Sequence, residues 1–323
     1  MKRVLVTGAA GCIGLLVIKY LLAEGKYEIT ALDLKNKTVV QRMKKYRKRI
    51  NVIYGDVNDR VLIEALVKDH DYIIHLASAL PPLSDMKKGL SDAIDYASTE
   101  NIVKTINYYN PKCHLFMAST TSMYLDKKDA TVRSKIDTDK IGYFATSKYN
   151  AELLIKEKIS NWTVYRIPLV LNNPKIDRFM YHGNKADMMD VVTKEDAALA
   201  FVIGLKYSKE LNRKIFNIRT DSIKYERLLN NVLYLYGTSI KYLATRIFLE
   251  HDFYSPMTKD GDNLDELIHF RNDSIMEYYS RLKRIGKKRK IARWLTRKKE
   301  DGEWNNGKSI WSKKSKYSSN WSC

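Results

Sequence analysis

The chain has 323 residues, 45% of them hydrophobic, and a formal net charge of +20. That length suits one large core plus an appended lobe, and the composition excludes wholesale disorder. Cys12, Cys113 and Cys323 are too few and too widely spaced for a disulfide framework or a metal site, which fits a reducing cytoplasm.

Met1-Lys2-Arg3 and the mostly apolar stretch to Ile18 imitate a signal peptide, but Thr7, the small residues after it and Lys19 interrupt the run. No stretch reaches the roughly 18 uninterrupted apolar residues of a membrane span, so a soluble, cytoplasmic protein is expected.

Lys2 to Val6 reads as a strand, Thr7 to Gly14 as a glycine-rich turn, and Ile13 to Leu22 as an amphipathic helix ended by Ala23-Glu24-Gly25. Further strands are predicted at Tyr27 to Leu32, Val52 to Tyr54, Tyr72 to Leu76 and His114 to Ala118. Val164 to Ile167 and Ile215 to Ile218 are later strands of the same sheet. Strand and helix alternate as in an α/β, Rossmann-type doubly wound parallel sheet. The dinucleotide-binding domain is expected over residues 1–165, with returning segments at about 190–220. A smaller, mainly helical substrate lobe is expected from 166–189 and 221–280. Residues 281–323 form a basic tail, with 15 Lys or Arg against three acids and four of the five tryptophans.

Gly8, Gly11 and Gly14 join the first strand to the first helix. A phosphate anion needs bare backbone N–H groups and the positive end of a helix dipole, and side chains would block its approach. Gly8 permits the tight turn, Gly11 the close approach, and Gly14 the packing of helix on strand, with Cys12 and Ile13 opening the helix. Asp33 ends the second strand. Its carboxylate can accept both adenosine-ribose hydroxyls and would repel a 2′-phosphate, which favours NAD over NADP. Lys35 and Lys37 stand close by and read as a solvated loop.

In this order the residues resemble the extended short-chain dehydrogenases/reductases, also called the NAD-dependent epimerase/dehydratase family, over roughly residues 1 to 230. Thr7 to Gly14 matches the family's TGxxGxxG. Gly55-Asp56-Val57 resembles its adenine-contacting segment, with Asp56 toward the exocyclic amine. His75-Leu76-Ala77-Ser78-Ala79 resembles the fourth-strand motif along the cofactor. Thr99 and Asn101 match the next helix, where an expected Asn is Asp95. Phe216-Asn217-Ile218 is similar to a later strand of the family. His75 itself reads as a satisfied structural residue.

The resemblance implies a Ser/Thr, a Tyr and a Lys around the nicotinamide. The lysine lowers the phenol's pKa and binds the nicotinamide ribose, and the hydroxyl residue bonds the reacting oxygen. Phe116 to Tyr124 resembles the strand carrying that hydroxyl. This assigns Thr120, with Thr121 and Ser122 as substrate contacts. Ser147, Lys148 and Glu152 stand in register with the family's helix, which assigns Lys148. Four residues before it stands Phe144, not tyrosine. Tyr143 is adjacent but rotated by about 100° around the helix, so it does not share a face with Lys148. Three arrangements are open. A distortion at Gly142 could bring Tyr143 in; Tyr124, Tyr181, His182 or the substrate could carry the proton; or the protein keeps its cofactor without redox turnover.

Tyr165 to Val170, with Pro168, resembles the segment closing over the nicotinamide. Leu171-Asn172 replaces the family's Tyr-Gly, and Thr193 replaces a later His. Departures therefore gather on the substrate side. The resemblance implies a nucleotide-linked sugar or related hydroxyl or keto substrate, and a homodimer through two helices.

Arg42 to Arg49 and Arg281 to Lys299 are basic runs that read first as solvated faces. For the tail, the alternative is adsorption to an anionic membrane surface through its lysines, arginines and tryptophans. No recognition motif accompanies either run, so nucleic acid is not an expected partner.

Overall fold

A computed structural model of the chain describes residues 1–81, 84, 89–125, 128–172, 185–235, 239 and 255–286. Tyr181, His182 and the tail beyond Gly286 lie outside the described residues.

Seven strands form one parallel sheet. They are β1 (Lys2–Thr7), β2 (Tyr27–Asp33), β3 (Asn51–Tyr54), β4 (Tyr72–His75), β5 (His114–Thr120), β6 (Trp162–Ile167) and β9 (Lys214–Asn217). Their order is β3-β2-β1-β4-β5-β6-β9. Every strand expected from the apolar runs lies in this sheet. Side chains alternate between its faces, so Val4 and Val6 join one core while Leu5 joins the other. Both faces are covered, which is why these strands read as near-continuous apolar runs.

The first face carries α1 (Cys12–Glu24), whose Ile13, Val17, Ile18 and Leu21 are buried at helical spacing. Gly25 ends it with φ of 65°, the left-handed conformation that glycine adopts without strain. α2 (Lys37–Met43) is capped by Asn36, whose side chain accepts from Val39 N, and α3 (Arg60–Val67) by Asp59, which accepts from Leu62 N. A π-helical turn over Asp92–Tyr96 runs into α4 (Ala97–Tyr109). With α5 (Tyr143–Lys158), α3 and α4 cover the second face, while α6 (Lys194–Lys206) packs beside α1 on the first.

A second, three-stranded sheet has the order β10-β8-β7, from β7 (Leu169–Leu171), β8 (Met188–Thr193) and β10 (Asp221–Lys224). It shares a separate core with α7 (Tyr225–Leu235) and α9 (Ile275–Gly286), built on Leu171, Val191, Ile223, Val232, Ile275 and Leu282. The short helix α8 (Asn263–Ile268) precedes α9. A strand at 221–224 was not expected, because four residues carry too little alternation to read. Pairing with β8 is what makes it one. Helix α9 also crosses the boundary drawn at residue 281. Arg281 pairs with Asp273 and Glu195, so it belongs to the folded body.

Candidate functional site

Parallel strands deliver their C-terminal ends to one edge, and in this order the connections diverge between β1 and β4. Ligands of such sheets bind in the crevice outside that switch point. Thr7, Asp33, His75, Thr120 and Ile167 end the strands there.

The glycine loop starts with Gly8, at φ of +64°. A Cβ on it would stand 2.7 Å from the backbone of Leu76 and Ala77, so a side chain would push β1 and the segment after β4 apart. Gly11 N donates to Gly8 O at 3.0 Å and closes the turn. Helix α1 then opens on Gly11 with no side-chain cap and no acid in its first turn. No side chain of the helix itself offsets its positive end, which opens at Cys12, Ile13 and Gly14. A Cβ on Gly14 would lie 2.5 Å from Gly8 O, which is how closely the helix sits on the loop.

Asp33 is tied to that loop. Its Oδ2 accepts from Ala10 N at 2.8 Å and its Oδ1 from Leu34 N at 2.8 Å. Burial raises its pKa against those two bonds and the nearby Arg42. Each carboxylate oxygen keeps a second lone pair for a ligand hydroxyl. Lys35 and Lys37 are exposed, as expected. Arg42, read as part of a solvated run, instead donates through Nη1 to Ala10 O at 2.9 Å. Its helix turns it back to the loop, which the run of like charges hid. Asp56 is exposed and accepts from Asn58 N at 2.9 Å, while Val57 is buried and its carbonyl accepts from Asn101 Nδ2 at 3.0 Å.

After β4, Leu76 N donates to Thr7 O at 3.2 Å, and Leu76, Ala77 and Ser78 are half-buried. His75 is sealed. Its Nδ1 lies 2.7 Å from Thr7 Oγ1 and its Nε2 3.3 Å from Ser98 Oγ. Burial, aided by the charge of Lys148, pushes its pKa down to about 3. It is a neutral structural group, as the sequence suggested.

Thr120 ends β5 with its Oγ1 2.8 Å from Ser122 Oγ, and Pro168 is buried after β6. The buried Thr121 Oγ1 has no hydrogen-bond partner among the described residues. On α5, Phe144, Lys148 and Glu152 fall on one buried face, and Tyr143 is 49% exposed. Gly142 is extended and Tyr143 begins the helix, so Phe144 takes the place in line with Lys148. Tyr124 is buried; its hydroxyl donates to Asn217 Oδ1 and accepts from Arg166 Nη1, both at 2.7 Å. That proton is already committed, and burial raises the phenol's pKa.

Lys148 Nζ lies 2.9 Å from Asp95 Oδ1, both side chains being at most 2% exposed. The charges touch, yet the ammonium has no well-aligned hydrogen-bond acceptor among the described residues. A buried ammonium, a helix that opens on a glycine loop without a side-chain cap, and an anchored carboxylate fit a dinucleotide. Among the described residues no group of His, Cys, Asp or Glu could hold a metal ion, and no helix is long and apolar enough to cross a membrane.

The Asp95–Lys148 contact was not readable, although the Asp in place of an expected Asn was its one sign. The Asp92–Ser147 contact, at 2.5 Å, left none.

The model of the NAD dependent epimerase/dehydratase family matches residues 4–175. Among solved structures, the chain is similar to UDP-glucuronic acid 4-epimerase from Bacillus cereus, in complex with UDP-glucuronic acid and NAD. The identity is 18% and the TM-score 0.72, over 88% of this chain and 99% of that one. A double mutant of DesIV, a dTDP-glucose 4,6-dehydratase from Streptomyces venezuelae with NAD bound, gives 18% and 0.73, over 88% and 97%. A tyrosine-to-phenylalanine mutant of the Bacillus cereus epimerase, with NAD and a 4-deoxy-4-fluoro analogue of its nucleotide sugar, gives 18% and 0.72, over 91% and 99%. At these identities the likeness is one of fold.

Proposed function

The chain belongs to the NAD-dependent epimerase/dehydratase family, and from that premise we propose that it binds NAD at the C-terminal edge of its sheet and acts on a nucleotide-linked sugar or a related hydroxyl or keto compound. The observation that carries the reading is the tie between Asp33 and the glycine loop. It sets a ribose acceptor beside an uncapped helix end, so one ligand with a diol and a pyrophosphate satisfies both. The similar structures with NAD and nucleotide sugars support the substrate class.

NAD, when bound, supplies a hydride acceptor and donor. Lys148 would hold the nicotinamide ribose and Thr120 would hydrogen-bond the reacting oxygen. Phe144 moves no proton, and Tyr124 has its hydroxyl engaged on both sides. The proton is therefore carried by Tyr143, by Tyr181 or His182, or by the substrate itself.

A second reading has a specific observation behind it: the buried phenyl ring of Phe144 in line with Lys148. In that reading the protein is an NAD-binding sensor or scaffold without turnover.

The purified protein should release NAD on denaturation, identified by mass spectrometry. Incubation with a panel of UDP- and dTDP-sugars should give a transient NADH absorbance and an altered sugar. NAD bound but spectrally silent with every sugar selects the sensor reading. No affinity for NAD sinks both.

A further inference from the structure

We infer that Asp95 is the counter-charge of Lys148, a positioning residue that does in this site what a phenolate would otherwise do, and that the site is consequently built around an uncharged ring at position 144. The inference rests on the reading above only for placing Lys148 in the cofactor site.

Lys148 is buried on α5, where an unpaired ammonium is strongly disfavoured. One negative group must accompany it. In line with it on the helix stands Phe144, which has no charge to offer. Asp95 is 0% exposed, with its Oδ1 2.9 Å from Nζ. Its carboxylate is itself held, since Ser78 Oγ donates to Oδ1 at 2.5 Å and Ala79 N to Oδ2 at 3.3 Å.

The backbone is shaped to deliver it. Asp92–Tyr96 is a π-helical turn, closed by Ala97 N on Asp92 O. Such widened turns recur at functional sites. This one presents two carboxylates to two consecutive residues of α5, Asp92 to Ser147 and Asp95 to Lys148.

Several charged groups on α5 and the elements packed with it already have partners. On α5 and β6, Glu152 and Arg166 pair with each other. On α4, Glu100 and Lys104 pair at 3.0 Å near the surface. His75 on β4 is neutral and both its ring nitrogens have partners. Lys148, one turn along the helix, is a positive charge that could stabilise a phenolate at 144, and Asp95 opposes it at close range. A tyrosine placed there would meet a neutral pair in a dry environment, which disfavours its ionised form.

The test is an ultraviolet titration of the full-length protein without nucleotide, comparing Phe144→Tyr with Phe144→Tyr/Asp95→Asn and subtracting the spectrum of the corresponding parent. In Phe144→Tyr the new phenol should ionise at or above the ordinary tyrosine value of about 10. In the double variant its midpoint should fall by about one to three pH units, because an ammonium one helical turn away then acts uncompensated. Either a depressed phenol in Phe144→Tyr or an unmoved midpoint in the double variant overturns the proposal. Phe144→Tyr adds a single oxygen, so it decides the question even where the double variant does not fold. Wild-type affinity for NAD is measured separately, so the cofactor reading and the counter-charge inference fail independently.

Discussion

Arg166 and Glu152 meet in a two-pronged ion pair, Nη2 to Oε2 at 2.6 Å and Nε to Oε1 at 2.9 Å, and neither side chain is more than 1% exposed. Ser119 Oγ adds a third bond to Glu152, at 2.6 Å, and Arg166 reaches Tyr124, whose hydroxyl leads on to Asn217 and Asp260. The chain of contacts joins β5, α5, β6 and β9 one helical turn from Lys148. Glu152→Gln strands a buried guanidinium and should lower stability by about 3–5 kcal/mol in urea unfolding. Glu152→Leu/Arg166→Met removes both charges together, so it should cost less than the sum of the single changes. Additive losses would mean that the charges do not depend on each other.

The glycines predict a separation of effects. Gly14→Ala forces a methyl against Gly8 O and Ala9 O, and should lose roughly 1–3 kcal/mol of stability together with nucleotide affinity. Gly25→Ala meets nothing within 4 Å but holds a left-handed residue, so about 1–2 kcal/mol is lost with nucleotide affinity intact. Calorimetric titration with NAD on both variants checks the contrast.

Asp33 and Arg42 flank the same loop and should act in opposite senses on cofactor choice. Asp33→Ser removes the charge that repels a 2′-phosphate, so the NAD-to-NADP affinity ratio should fall by roughly tenfold or more, about 1.4 kcal/mol. Adding Arg42→Ala should withdraw much of the NADP affinity so gained. An unchanged ratio in Asp33→Ser would remove Asp33 from the ribose site.

Acid stability should reflect the buried histidines. Burial holds His75 down to about 3 and His114 to about 4, below the ordinary 6.5. Between those values the unfolded chain binds protons that the folded chain does not. Stability is therefore full above about pH 6.5 and is lost as the pH falls toward 4 and then 3, by about 1.4 kcal/mol per pH unit for each histidine. Urea unfolding at pH 7, 6 and 5 measures the slope, and His114→Gln should remove one histidine's share. A flat profile over this range would contradict neutral burial.

The glycine loop and the acid beside it were legible because each is a local pattern. Gly8 to Gly14 lie in one turn, and Asp33 ends a strand whose apolar run marks its last residue. The catalytic side was legible only as an assignment by resemblance. Phe144 was visibly out of pattern, yet its burial in line with Lys148 depended on where α5 begins. Arg42 was misread because a basic run looks solvated when its helix has no known neighbour.

The amino-acid sequence by itself determined the strand and helix alternation, the glycine turn and the acid beside it, since each is a local pattern of side-chain size, charge and period. Only the tertiary structure decided which distant groups share a dry interior. Asp92 and Ser147 are 55 residues apart along the chain yet 2.5 Å apart in space. The same packing of the π-helical turn on α5 joins Asp95 to Lys148. Local propensity carries no record of such contacts, because burial makes each of those charges dependent on a partner that chain folding alone supplies.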